Sequence, residues 1–445
     1  MKVTAPSKTF DPRRLLPGTW LTRCLVAVFI LGVILHVVVV LSILTQDRPI
    51  VWPLYNDTIH RLGKGADFFA IYHAGVNVGF GISPYAQNLD GITPYYHPFR
   101  YLPIVAYAAQ PLTKLEPTQA YVLWVIILES ALLLLLIALY RAYADKRIWL
   151  LSASLLVMST PYFLELWVGQ FTFLTVTLCA LALLLPCGAA YFTASVLLKP
   201  LCLAVLPAFV RDRRYWLHGI SAIAGVCVVS VPYFLRHPEA WQLFADANFR
   251  PIGHFDTGNY GLLRFLGLIA YDLRLLWLAP DDHWVLVMSS LRVLTFGATS
   301  VVVLFGRNRN TIVGACALLL AHFLTYQHVW EHHMSAVIVI GALLLTVRNR
   351  PSWFTATVLV CMLCLALPTP FGLFDTVKDR TVYDPSGDWP DYALYVLFLS
   401  KVAPTITLFV ACIVSMLRTV PAATLAPKTR KRKAPRRNLP LDGRR

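Results

Sequence analysis

One acid, Asp67, stands in the stretch Gly63–Gly75, followed by two phenylalanines and then by Tyr72 and His73. A lone carboxylate placed behind a hydroxyl can take its proton as the oxygen attacks, provided the departing group is stable when it leaves. Hydrolysis of a glycosidic bond needs two carboxylates flanking that bond. The plain alternative for Asp67 is a carboxylate on a solvated loop. Further along the chain come other polar groups set against apolar sequence: Gly169-Gln170, Lys199-Pro200, Gly258-Asn259 with Arg264, and Trp330-Glu331-His332-His333. The question is what element arrangement could bring them to one place.

The 445 residues are 57% hydrophobic and 14% charged, with a mean hydropathy of +0.62. Soluble domains carry about 25% charged residues. Here the apolar residues gather into continuous runs of about twenty, the length that crosses a bilayer core. The expected fold class is therefore an all-α polytopic membrane protein, and the absence of alternation excludes a β-barrel. Net charge is +16, of which +9 lies in residues 418–445. That stretch is expected to be a disordered basic cytoplasmic tail touching anionic lipid, with residues 1–417 forming one integral membrane domain. The tail has no aromatic to stack on a base, so no nucleic-acid partner is expected. The nine cysteines lie in or at the ends of apolar runs, which argues against a disulfide framework; Cys361 and Cys364 are expected to be packing residues within one helix.

Full spans are expected at Leu25–Thr45, Tyr121–Tyr140, Ile148–Trp167, Phe171–Leu185, Tyr215–Leu235, Trp284–Phe305, Thr311–Val329, Met334–Val347, Trp353–Leu367 and Tyr392–Leu417. Leu25–Thr45 is too long for a signal-peptide core and should be retained. Gly188–Val210 carries Lys199-Pro200 in its middle and has basic residues after it, which predicts a broken re-entrant hairpin or two short tilted helices. Ala66–Phe80 is expected as a short interfacial helix, and Leu102–Leu112 as an apolar segment too short to span. The Lys/Arg clusters between spans place both termini in the cytoplasm. The first long loop, Gly169-Gln170, loop 236–283 and Trp330–His333 then share the extracytoplasmic face. No internal repeat of the kind common in transporters is visible. Glu129, inside the second span, should have a structural partner.

Outside the cytoplasm nucleotide sugars are not at hand, and a sugar carried on a polyprenyl phosphate is the natural activated donor. Its leaving group departs as a phosphate monoester, so one carboxylate as base is sufficient and the anomeric centre inverts. The metal-binding Asp-x-Asp pair of many nucleotide-sugar enzymes is absent from the chain.

Several motifs carry a resemblance. They are Asp67-Phe68 with Tyr72, Ala74, Gly81 and Pro84-Tyr85; Phe99-Arg100-Tyr101-Leu102-Pro103; Gly169-Gln170; Leu198-Lys199-Pro200; Gly258-Asn259-Tyr260-Gly261 with Arg264; and Trp330-Glu331-His332-His333. In this order the chain resembles the polyprenyl-phosphate-mannose-dependent α-mannosyltransferases of glycosyltransferase family 87, in the GT-C superfamily. Tyr260-Gly261 and Gln327-His328-Val329 depart from the family pattern.

The resemblance implies a GT-C-like fold of about 10–12 transmembrane helices with a long first outer loop. It implies Asp67 as general base and His332 or His333 near the donor phosphate or sugar. Lys199 is a mid-segment cation for the donor phosphate or for local structure. Arg264 is a second phosphate ligand or a loop arginine. Gln170 and Asn259 bind sugar hydroxyls or cap helices, and Tyr72, Tyr101 and Trp330 are further substrate-binding candidates. Trp52, Tyr95, Tyr96 and Trp330 could equally be belt aromatics. The implied partners are a polyprenyl-phosphate sugar donor, a lipid-linked or envelope glycan acceptor, and membrane lipid; no cofactor or metal is expected, since Lys, Arg and His can hold a single phosphate. An arabinofuranosyltransferase of the same architecture and a flippase of lipid-linked sugars are the alternatives.

Overall fold

The computed structural model describes residues 18–86, 98–249, 260–262, 265–266, 281–326, 329–374 and 390–418. Among these the secondary structure is helical, without strands. The chain is an all-α polytopic membrane protein. In order, the helices that matter here are α1 (Gly18–Thr45), α2 (Asp57–Arg61), α3 (Ala66–Gly79), α4 (Pro103–Ala109), α5 (Pro117–Ala142), α6 (Lys146–Val157), α7 (Thr160–Val168), α8 (Thr172–Leu184), α9 (Gly188–Leu198), α10 (Leu206–Arg211), α11 (Trp216–Val229), α12 (Val231–Arg236), α13 (Pro238–Phe249), α14 (Asp281–Phe305), α15 (Thr311–Thr325), α16 (Met334–Leu344), α17 (Ser352–Ala366), α18 (Asp391–Leu397) and α19 (Ala403–Leu417).

Four helical stretches among the described residues are long and apolar enough to cross a bilayer: Trp20–Thr45, Pro117–Ala142, Arg213–Arg236 and Tyr395–Leu417. α6 and α7 make a fifth, bent by 42°. The bend has a local cause. Ser159 is the N-cap of α7 and accepts from the Tyr162 N–H at 3.4 Å, while Pro161 lacks the N–H that would continue α6. The other expected spans are apolar helices of 10–17 residues, among them α8, α15, α16 and α17.

Burial separates an inner set of helices from an outer one. α16 is apolar all round and every residue in it is buried, as expected of a helix enclosed by others. It packs on α8, α15 and α17; α8 in turn packs on α5 and α9, and α15 on α14 and α19. α1 and α11 instead expose apolar side chains such as Leu31, Ile34, Leu217 and Val228, a surface suited to lipid.

The helix expected over 66–80 forms as Ala66–Gly79, and protein covers most of it. In α3 only Asp67, Val76 and Val78 escape burial before the last residue, and Tyr72 and His73 are buried. Gly75 makes this possible: a Cβ there would lie 3.1 Å from the Ala109 carbonyl carbon and from Thr113, so α3 seats directly on α4 and the turn after it. The expected break at Lys199-Pro200 is present. α9 stops at Leu198, Lys199 is extended (φ −149°, ψ 115°), and a 3₁₀ turn over Pro200–Val205 leads into α10; a residue before proline is pushed out of the helical region.

Glu129 has the partners its place in a span demands. Its carboxylate meets His36 Nε2 at 2.9 Å and accepts from the Tyr162 hydroxyl at 3.1 Å. All nine cysteines are free, including Cys361 and Cys364 on α17. The basic tail from 419 onward, Tyr95, Tyr96, Asn259 and Arg264 lie outside the described residues.

Candidate active site

Asp67 is the second residue of α3. Gly65, at φ +77°, supplies the left-handed turn that starts the helix, and its N–H donates to the Trp167 carbonyl at 2.8 Å. This bond ties the start of α3 to the end of α7. Unpaired N–H groups at a helix start favour negative charge, and Asp67 stands in that first turn. From Gly65 to Gly75, Asp67 alone is partly exposed.

The turn between α7 and α8 reaches this acid. α7 ends at Gly169, which adopts φ +71°; the Trp124 indole N–H donates to its carbonyl at 2.9 Å. Gln170 follows, and its Nε2 donates to Asp67 Oδ2 at 3.2 Å. The amide cannot be turned over without loss. Its Oε1 accepts the backbone N–H of Phe171 at 2.9 Å and the Tyr101 hydroxyl at 3.4 Å, and a backbone N–H needs an acceptor opposite it. Tyr101 also packs on Phe171, ring centroids 4.5 Å apart. Burial, and then the Asp67 carboxylate, push the Tyr101 phenol well above its ordinary range, so it stays a hydrogen-bond donor at neutral pH.

The same turn holds the cation. Thr172 opens α8, and its Oγ1 accepts from Lys199 Nζ at 2.7 Å. The ammonium also lies 5.9 Å from the centre of the Phe171 ring. Asp67 and a second acid, Glu165, both act electrostatically on Lys199. Glu165, on α7, is fully buried. One of its oxygens accepts the Phe173 N–H at 2.7 Å and the other the Ser335 hydroxyl at 2.8 Å, so it joins α7, α8 and α16 beside the cation.

The paired histidines occupy a 3₁₀ turn, Glu331–His333, that leads into α16. His333 Nδ1 accepts the Trp330 N–H at 2.9 Å, which leaves the proton of the neutral ring on Nε2. The two rings lie 4.2 Å apart. His332 is 5% exposed, and neither of its ring nitrogens has a hydrogen-bond partner among the described residues. Lys199 acts electrostatically on it. Buried ring nitrogens without partners are uncommon and call for an explanation.

Arg292 (α14), His322 (α15) and Tyr326 extend this cationic side. The Arg292 guanidinium lies 5.5 Å from the Tyr326 ring centre, and the His322 and Tyr326 rings stack at 5.0 Å. Arg292 and Lys199 both act on His322.

Of the residues singled out from sequence, Asp67, Gln170 and Tyr101 meet directly, and Lys199 and His332 lie within electrostatic reach of one another. Tyr72 is placed elsewhere. Its hydroxyl donates to the Leu115 carbonyl at 2.8 Å, fastening α3 to the segment before α5. Trp330 contributes its backbone N–H to the histidine turn. Arg264 and Asn259 lie outside the described residues, but their neighbour Tyr260 donates its N–H to the Val329 carbonyl at 2.6 Å, next to that turn. Glu165, Arg292 and His322 join the site without standing among the sequence candidates. Glu165 carries the signal that marks Glu129, an acid inside an apolar run.

No curated protein matches the chain. Residues 99–327, which hold Tyr101, Glu165, Gly169-Gln170, Lys199, Arg292 and Tyr326, match glycosyltransferase family 87. The chain is a glycosyltransferase of that family.

Proposed function

We propose that the chain transfers a hexose, most simply mannose, from a polyprenyl phosphate to a lipid-linked or envelope glycan on the extracytoplasmic face, with inversion. Asp67 is the general base. The acceptor hydroxyl gives its proton to the Asp67 carboxylate as its oxygen bonds to the anomeric carbon. The bond from that carbon to the phosphate oxygen breaks, and polyprenyl phosphate leaves with the electron pair. Lys199 and His332 take the phosphate, with His333 and Arg292 around it, so the charge that develops on the leaving oxygen meets fixed cations and N–H donors; Arg264 keeps the role of second phosphate ligand that the family resemblance implies. Gln170 and Tyr101 orient the base, and Gln170, Trp330 and, by the family resemblance, Asn259 are the proposed sugar-binding residues. The reaction calls for no cofactor and no metal. In this topology both termini are cytoplasmic, and residues 1–417 form one membrane domain ahead of a basic tail.

The observation that carries the reading is the placement of one partly exposed carboxylate, held by Gln170, within electrostatic reach of the half-buried Lys199. The test is transfer of radiolabelled mannose from polyprenyl-phosphate-mannose in membranes, comparing wild type with Asp67→Asn. Transfer by wild type and its near-complete loss in a folded variant is expected. Equal rates would remove Asp67 as the base. Transfer from a polyprenyl-phosphate arabinose alone would replace the hexose by a pentose, and transfer from neither donor would overturn the donor class.

A further inference from the structure

α18 and α19 are joined by a single wide π turn, Phe398–Val402, that buries the side chain of Lys401 completely. The turn has a sequence cause. Pro404 has no N–H to give to the carbonyl four residues back, that of Ser400, and the Thr405 hydroxyl donates to the Lys401 carbonyl at 2.8 Å. The widened turn directs Lys401 toward the end of α17. There its ammonium donates to the carbonyls of Leu365, at 2.8 Å, and Leu367. Carbonyls at a helix end have no partner within the helix, and a cation there also suits the helix dipole.

The third group at this ammonium is Glu331 Oε1, 3.9 Å away and equally buried. The same oxygen accepts from the Thr369 hydroxyl at 2.9 Å. Glu331 is the first residue of the histidine turn, and His332 follows it. Since His332 makes no hydrogen bond through its ring among the described residues, its position depends on the turn that carries it. That turn is held at one end by the ion pair and at the other by the bond between His333 and Trp330.

We propose that Lys401 and Glu331 are positioning residues: together they latch the histidine turn to the end of α17 and so set where His332 stands. The reaction assigned to His332 rests on the function proposed above; the latch itself does not. A buried pair is poor evidence for added stability, because an apolar pair of similar volume often serves as well, whereas removing one partner strands a buried charge. A role in fixing register fits that behaviour. It also predicts that stability and position separate when the pair is changed in different ways.

Three variants test this in detergent-purified protein: Lys401→Met, the double variant Lys401→Met with Glu331→Gln, and Glu331→Asp. Lys401→Met should lower yield and melting temperature, and the double variant should recover both. Glu331→Asp keeps the charge but is one methylene shorter. In it and in the double variant, kcat should fall by about tenfold or more while donor KM changes far less, as a misplaced group costs the transition state most. Carbethoxylation by diethyl pyrocarbonate, read by mass spectrometry on the His332 peptide, gives a second readout. His332 should be protected in wild type and modified in the double variant and in Glu331→Asp. Wild-type kcat in both well-folded variants, or unchanged protection of His332 in them, would overturn the latch. Should wild type transfer no sugar from any polyprenyl-phosphate donor, the functional reading falls, and His332 protection alone decides the latch.

Discussion

Gly169 and Phe68 touch so closely that a Cβ added to the glycine would lie 2.5 Å from the Cβ of the phenylalanine. Phe68 is the neighbour of Asp67, and Gly169 the neighbour of Gln170. The contact therefore sets how near the amide of one pair comes to the carboxylate of the other. Gly169 is also at φ +71°, where a side chain is strained as well as crowded. Gly169→Ala should destabilise the protein by about 2 kcal/mol and lower the transfer rate by about a hundredfold. Melting in detergent and initial-rate assays check the two effects, and a wild-type rate in Gly169→Ala would show that the approach of these backbones does not matter to the chemistry.

Gln170→Ala and Gln170→Glu should differ. The first removes the donor to Asp67 and the acceptor for Phe171; the rate should fall by about ten- to a hundredfold. The second places a carboxylate against a carboxylate, which favours the protonated form of the pair. Its rate at neutral pH should fall further and recover as pH rises, because raising pH removes the proton that the repulsion holds. A flat pH profile in Gln170→Glu, measured against wild type, would contradict the contact.

Glu165→Leu should be among the most damaging substitutions outside the reacting groups. It strips the Phe173 N–H and the Ser335 hydroxyl of their acceptor and leaves Lys199 without its buried counter-charge. Each buried group left without its partner costs about 1–3 kcal/mol. Low yield and a lower melting temperature are expected, partly restored by Lys199→Met in the same chain. Equal melting of Glu165→Leu and wild type would show that the charge of Lys199 is compensated elsewhere.

Arg292→Ala should act on the donor rather than on the base. A charge-assisted contact to phosphate is worth about 1.5–3 kcal/mol, so donor KM should rise by roughly ten- to a hundredfold with a smaller change in kcat. Steady-state kinetics over a range of donor concentrations give both numbers. An unchanged KM would assign the Arg292–Tyr326 stack to packing alone.

Much of this site is legible in the amino-acid sequence because its residues break the local pattern. Asp67 stands directly before a pair of phenylalanines, Lys199-Pro200 puts a charge and a helix breaker inside an apolar segment, and Gly169-Gln170 parts two apolar runs. Glu129, an acid within a span, calls for a partner and has His36 and Tyr162. Apolar length also places most of the long helices to within a few residues. What stays hidden is what depends on helices meeting. The aromatic composition of α3 does not reveal that Gly75 lets the helix seat directly against α4. Tyr72 sits five positions past Asp67, and its hydroxyl goes to Leu115 instead of the carboxylate. The approach of Arg292 to His322 comes from the packing of α14 on α15, and that of Lys401 to Glu331 from a π turn; Lys401 stands out as a charge inside an expected span, but the group it meets is not written along the chain.

The turn from Gly169 to Thr172 has a bearing on the surrounding bilayer. Gln170 grips the acid and Thr172 grips the cation, and two residues of chain span at most about 7 Å. Helices that cross a bilayer meet a thicker or thinner one by tilting. The gap between base and cation does not follow them, since both hang from one short piece of backbone that serves as a gauge block. Activity should therefore persist across lipids of different chain length in which the spans themselves lean by different amounts.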